Sequence, residues 1–254
     1  MDQPKLSLRG VRKSFGDKHV LRGIDLDVAA GESLVILGGS GTGKSVLLKH
    51  MIGLLQPTSG TIHVDGVDLA SLSKDELIDF RRRYGMSFQE GALFDSMTVW
   101  DNIAFPLRRA RPKRSKDAID RRVEACLDTV GLEGVGERLP SELSGGMRRR
   151  VGFARAIALE PEILLFDEPT TGLDPVMTAV IDQVIIDMRT GLGCTTITIT
   201  HDLSSAYRIA DRIAMIHRGE ILAVADPETF RNLEDPRIRQ FLEGRARGPL
   251  TDDD

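Results

Sequence analysis

Residues 38–45 read GGSGTGKS and fit the pattern G-x-x-x-x-G-K-S, with an apolar run before them and a helical pattern after. Gly38, Gly41 and Gly43 let the backbone curl, so that successive N–H groups point inward at an anion. The start of the following helix adds a potential that favours negative charge. In this motif Lys44 reaches the β- and γ-phosphates of a nucleotide, and the Ser45 hydroxyl takes a magnesium ion. A second apolar run, ILLF at 163–166, ends in Asp167 and Glu168. Phosphoryl transfer asks a protein mainly for positioning and charge neutralisation, so one carboxylate for metal and one for water is a workable division. Alone, Asp-Glu-Pro after a strand is an ordinary turn. LSGGM at 143–147 places Ser144, Gly145 and Gly146 at a helix start. By itself that segment equally describes a capped helix, since serine is a good N-cap. His201 follows a β-rich run, a place where a lone histidine is more often structural.

These groups need a scaffold that brings distant segments together. Residues 5–30 alternate apolar and polar positions around Gly10, Gly16 and Gly23, which predicts short antiparallel strands. The stretch 33–37 reads as a buried strand feeding the glycine loop. Leu47, Leu48, Met51 and Leu55 then recur at helical spacing, and 56–60 closes that helix. Residues 61–64 read as strand and 74–83 as helix. From about 89 to 160 strand patterns vanish, and helices are expected over 99–109, 116–130 and 145–159. Strands return at 163–166, 195–200, 212–217 and 221–224, with a helix over 175–189. Strands alternating with helices imply a mainly parallel sheet covered on both faces. The stretch 226–254 is polar, with a short helix starting at Asp235-Pro236 and an acidic end expected to fray.

With 254 residues, 41% of them hydrophobic, the chain can bury a core for one domain or two closely joined lobes. A net charge of -4 argues against a general nucleic-acid binder. The basic runs 81–83, 108–114 and 148–150 read as solvated helix faces, the sharper alternative being contact with anionic headgroups or an acidic partner loop. Cys126 and Cys194 are expected in the core, and their spacing suits neither a disulfide framework nor a zinc site. The start MDQPKLSLRG carries no apolar signal core, and no window approaches the ~20 apolar residues a membrane span needs. The expectation is a soluble protein whose membrane role comes through a partner.

The order phosphate loop, FQE at 88–90, LSGGM, ILLFDE, then His201 resembles the ATPase subunits of ABC transporters over nearly the whole chain. The resemblance implies an α/β P-loop fold with a mainly parallel core sheet, an antiparallel β subdomain and an inserted helical subdomain. It makes 1–254 a single domain, with 1–88 and 161–225 as nucleotide-binding core, 89–160 as the helical subdomain with the signature, and 226–254 as a C-terminal extension. It further implies ATP held by Gly38, Gly39, Ser40, Gly41, Thr42, Gly43, Lys44, Ser45 and Val46, with Phe15 stacked on adenine. Mg²⁺ falls to Ser45, Asp167 and Gln89. Glu168 becomes the general base, with Gln89, Lys44 and His201 completing the catalytic set and His201 sensing the γ-phosphate. Ser144, Gly145 and Gly146 would press on the γ-phosphate held by the opposite subunit of a head-to-tail homodimer, and Asp174 would cross between subunits. Packing in the core stays open for Phe15, and N-capping for Asp174. The family's usual glutamine after the two glycines is Met147 here, which removes a polar contact but leaves the anion-binding turn.

Three segments resemble the ATPases of bacterial Mla-type lipid systems: QEGALF with MTVWDNI at 89–103, LSGGM continued by Arg148–Arg149–Arg150, and the tail 235–250. That resemblance implies a complex with an integral-membrane permease and a lipid-binding MCE protein, moving phospholipid or other lipid between bacterial membranes, with the ATPase on the cytoplasmic face of the inner membrane. Its extension would reach the neighbouring subunit, although Thr251 onward departs from the aromatic-containing end of that group. The alternatives are an importer ATPase for a polar solute such as an amino acid, a non-transport ABC protein, and a P-loop phosphotransferase. The last leaves LSGGM, Asp174 and His201 unexplained.

Overall fold

The computed structural model describes residues 3–88 and 91–251. Strands β1 (Leu6–Phe15) and β2 (Lys18–Val28) form a long antiparallel hairpin rather than several short strands. With β4 (Ser59–Val64) and β5 (Val67–Asp68) they make a four-stranded antiparallel sheet in the order β2-β1-β4-β5. Register shifts along β1 absorb Gly10, which therefore interrupts the pattern without ending the strand, whereas Gly16 lies in the hairpin turn.

The second sheet has six strands in the order β10-β9-β3-β8-β7-β6. Its central strand β3 (Ser33–Leu37) is parallel to β8 (Thr195–Thr200) on one side and β9 (Arg212–His217) on the other. Beyond β8 lie β7 (Ile163–Asp167) and β6 (Tyr84–Ser87), both parallel; only β10 (Glu220–Ala225) runs antiparallel. Every residue of β3 is buried, and its side chains part by turns. Leu34 and Ile36 join Leu47, Leu48 and Met51 of α1 (Lys44–Met51) and the antiparallel sheet. Val35 and Leu37 join the opposite layer, with Ile181 and Ile185 of α6 (Pro175–Leu192). A strand apolar on both faces therefore acts as the partition between two cores.

Between 91 and 160 the described residues hold helices and no strand: α3 (Val99–Arg109), α4 (Lys116–Thr129) and α5 (Gly145–Ile157). Ile103, Leu107, Val123, Leu127, Val151 and Ala154 form their shared interior. An edge-on contact of Phe153 with Phe166, centroids 5.1 Å apart, fastens α5 to β7. The helix read over 74–83 stops at Phe80 as α2 (Lys74–Phe80) and continues as a tighter turn over Arg81–Arg83. Helix α7 (Leu203–Ile209) joins β8 to β9, and α8 (Pro227–Arg231) and α9 (Pro236–Glu243) end the chain. Cys126 and Cys194 are both buried and unpaired.

Two of the three basic runs depart from the solvated faces expected of them. Arg81 donates to the carbonyls of Ile52 and Gly53, and Arg148 and Arg150 to those of Leu143 and Gly131. Arg149 is buried and donates to the Thr171 carbonyl. A guanidinium fork satisfies loop carbonyls that no ladder reaches, a role that charge counting does not separate from solvation. The third run stays on the surface, where Arg108 lies over Trp100 and Arg109 over Phe105.

Arg83 also grips Glu162 with two nitrogens, at 2.9 and 2.6 Å, while Lys5 pairs with both Glu162 and Asp65. This cluster staples the antiparallel sheet to the start of β7. The Arg83 hydrogen bond holds the Glu162 carboxyl down at about 2, against an ordinary 4.5. A depressed carboxyl stabilises the fold fully above its unfolded value and loses that contribution as pH falls toward the folded one. Glu162→Gln should therefore flatten the fall in urea midpoint between pH of about 4.5 and 2 relative to the parent chain. Parallel curves would rule out this linkage.

Candidate active site

The parallel register delivers three strand ends to one edge. Leu37 pairs with Thr200 and Asp167 with Ile199, so Gly38, Glu168 and His201 emerge side by side. In a sheet of this kind ligands bind beyond the carboxyl ends of the strands.

The glycine loop turns directly into α1. A Cβ at Gly38 would lie 2.5 Å from the Ile216 carbonyl oxygen, so only glycine fits where the loop leaves the sheet. Gly43 caps α1 with φ 106° and packs against Val20, a conformation a side chain would resist. Thr42 Oγ1 donates to the Gly39 carbonyl at 3.0 Å and tightens the turn. Lys44 arches back over it, donating to the carbonyls of Gly38 at 2.7 Å and Gly39 at 2.8 Å. Its ammonium lies 3.6 Å from Glu168 Oε1. Burial lowers the Lys44 pKa, and the charge of Glu168 resists that fall.

Glu168 stands just past β7 with φ 52°, a left-handed value that costs a non-glycine residue strain. Its N–H donates to the Ile199 carbonyl at 2.8 Å, which ties the residue to the neighbouring strand β8. Its Oε2 accepts from Thr171 Oγ1 at 3.0 Å and meets His201 Nδ1 at 2.8 Å. Asp167 beside it is reached by the Ser45 hydroxyl, and burial, then the charge of Glu168, push its carboxyl up. The required kinds of side chain thus converge: an ammonium, two hydroxyls, two carboxylates and an imidazole.

These groups line a cavity of about 1110 Å³, which also takes in Phe15, Ser40 and Val46. Phe15 is 49% exposed at the end of β1, so it is not held in the core, and it lines the cavity. Ser144, Gly145, Gly146 and Asp174 are absent from this wall. Ser144 caps α5 by accepting from the Met147 N–H at 3.3 Å, and Asp174 caps α6 by accepting from Val176 and Met177. Gln89 lies outside the described residues.

The tail supplies wall residues that sequence reasoning did not name: Gln240, Phe241, Arg245 and Leu250. Gln240 is buried, donates to the Arg245 carbonyl at 3.1 Å and accepts from the Leu250 N–H at 2.7 Å. The extension thus folds back onto the cavity of its own chain. A polar residue in a polar tail carries no local signal for such a cage.

The profile of the family described as ABC transporter matches residues 21–171, more than half of the chain. The chain is an ABC transporter ATPase subunit. It is 43% identical over 245 residues to the probable ribonucleotide transport ATP-binding protein mkl of Mycobacterium leprae, covering 96% of this chain and 70% of that one. It is 39% identical over 250 residues to the intermembrane phospholipid transport system ATP-binding protein MlaF of Haemophilus influenzae, covering 98% and 94%. Among solved structures, the dimeric post-hydrolysis state of the ATP-binding cassette MJ0796 with ADP and Pi superposes with a TM-score of 0.78 at 31% identity, over 87% of this chain and 98% of that one. The cassette hydrolyses ATP, and its fold is that of the family. No described helix is long and apolar enough to cross a membrane.

The crowding at Gly38 gives a test of the cradle. Gly38→Ala should weaken ATP binding more than about tenfold, or about 1.4 kcal/mol, in a fluorescence titration. Gly191→Ala, on the open side of α6, should leave affinity within about twofold. Equal affinities in the two variants would contradict the tight fit at Gly38.

Proposed function

We propose that this cassette hydrolyses ATP at a site shared between two copies of the chain, and that the work drives lipid movement between membranes. Lys44 neutralises the β- and γ-phosphates from within the loop. Glu168 takes a proton from the attacking water, and His201, hydrogen-bonded to Glu168, sits where it can follow the γ-phosphate. Phe15 stacks on the base. Ser45 and Asp167 would hold a magnesium ion, which when bound neutralises charge on the phosphate oxygens. Two oxygen donors suit that ion, which prefers one or two protein groups with phosphates and water for the rest. Among the described residues no cluster of three His, Cys, Asp or Glu offers a fuller cage. Gln89 is proposed as a further contact to the ion and the water.

Ser144, Gly145 and Gly146 do not line their own cavity, and Ser144 and Gly145 are exposed, which supports use of this turn toward the nucleotide of a second, head-to-tail copy, with Asp174 beside the crossing. Glu168→Gln should keep ATP affinity within about threefold while turnover falls at least ~100-fold and ATP-bound dimers accumulate. Near-normal turnover would remove Glu168 as the base.

The lipid assignment is supported by the match to MlaF, which takes in 98% of this chain and 94% of that one, whereas the match to mkl takes in 96% of this chain and 70% of that one. An integral-membrane permease and a lipid-binding MCE protein are the partners this reading requires, with the cassette on the cytoplasmic face. The name of mkl keeps a second reading in view, a transporter of a polar solute such as a nucleotide or amino acid. Mass spectrometry of proteins and lipids co-purifying with the tagged chain separates them. A permease with an MCE protein and bound phospholipid is expected; a solute-binding protein without lipid would favour the second reading.

A further inference from the structure

Asp182, in the middle of α6, is 0% exposed. A buried carboxylate is costly unless it is fully paired, so its partners show what holds it there. Ser205 Oγ lies 2.8 Å from Oδ1 and 3.0 Å from Oδ2, and Arg208 forms an ion pair with Oδ2. Ser205 Oγ is also 3.3 Å from Thr170 Oγ1, and both residues are buried. A hydroxyl has a single proton to donate. With the Ser205 proton directed at the carboxylate, the Thr170 hydroxyl donates to Ser205, and Asp182 sets the direction of the whole chain.

Two segments meet in this chain of hydrogen bonds. Thr170 is followed by Thr171, whose hydroxyl binds Glu168 Oε2 at 3.0 Å. Ser205 lies in the first turn of α7, where its N–H and that of Ser204 are held by the Asp202 cap, directly after His201. His201 is the other group on Glu168 Oε2, at 2.8 Å. Both side chains that bind Oε2 of the Glu168 carboxylate are therefore borne by backbone segments tethered to one buried aspartate. A conserved-volume apolar residue would pack α6 against α7 equally well but could not bind the two hydroxyl-bearing segments.

We infer that Asp182 is a positioning residue for hydrolysis, which through Ser205 and Thr170 fixes the Thr171 and His201 contacts that aim Glu168. This rests on the reading of Glu168 as the base. The test uses the full chain with its transport partners, comparing Asp182→Asn and Thr170→Val alone and in a Glu168→Gln background. Steady-state turnover, single-turnover hydrolysis and ATP affinity are the readouts. In the parent background kcat should fall about tenfold or more for each variant, while KM and ATP affinity stay within about twofold. In the Glu168→Gln background either change should lower the residual rate less than about twofold, because the group being aimed has lost its function. A general packing defect would lower both backgrounds by the same factor and overturn the inference, as would an unchanged kcat in the parent background. If Asp182→Asn does not fold, Thr170→Val decides the matter, since it leaves the Asp182–Arg208 pair in place. Near-normal turnover in Glu168→Gln alone would instead defeat the reading of the base, a separate outcome.

Discussion

The parallel register of β3, β7 and β8 is the constraint on which the site depends. It places Leu37 beside Thr200 and Asp167 beside Ile199, so the next residue along each strand lies at the same sheet edge. Gly38, Glu168 and His201 are far apart in sequence and become neighbours only through that pairing. A slip of one residue would also exchange the two faces of each strand, burying the wrong set against α1 and α6. Packing therefore enforces the register, and the register assembles the chemistry.

Arginine carries much of the traffic between layers. Arg149 joins α5 to the Thr171 carbonyl, in the loop whose hydroxyl holds Glu168. Arg155 joins the same helix to the carbonyls of Gly91 and Ala92, and Arg122 joins α4 to those of Ile157 and Ala158. These contacts span irregular backbone that helices and sheets leave unsatisfied. Arg149 alone of these links the helical layer to the loop after β7 by a directional bond, in addition to the Phe153–Phe166 contact. Movement of α5 is thus mechanically connected to the surroundings of Glu168.

The extension beyond β10 closes on itself around the Gln240 amide and places Phe241 and Leu250 against the main core. Its position makes the cavity of one chain partly a product of its own tail. The Gln240 contacts depend on the turn at Gly244 and on the close passage of Gly248, whose Cβ would meet the amide oxygen at 2.6 Å. Small residues there are a condition of the fold-back rather than a mark of looseness.

Much of this was legible in the chain itself. The motif at 38–45, the carboxylates after 163–166 and the Ser-Gly-Gly turn carry local chemistry in their residue types, because a backbone cradle, a strand end and a helix cap are each set by nearest neighbours. Period-two and period-3.6 patterns likewise defined most strands and helices, including β3 and α3 to their ends. Other features have no local signature. Arg148–Arg149–Arg150 read as a charged face, yet loop carbonyls brought close by folding take them up. Asp182 falls inside the helix read over 175–189 with no local mark to set it apart, and Gln240 inside the polar tail. Residue type and spacing determine which groups can act, since those depend on covalent chemistry and short-range sterics. Which of them meet is decided by tertiary packing, because a buried hydrogen bond depends on the surface that another segment presents.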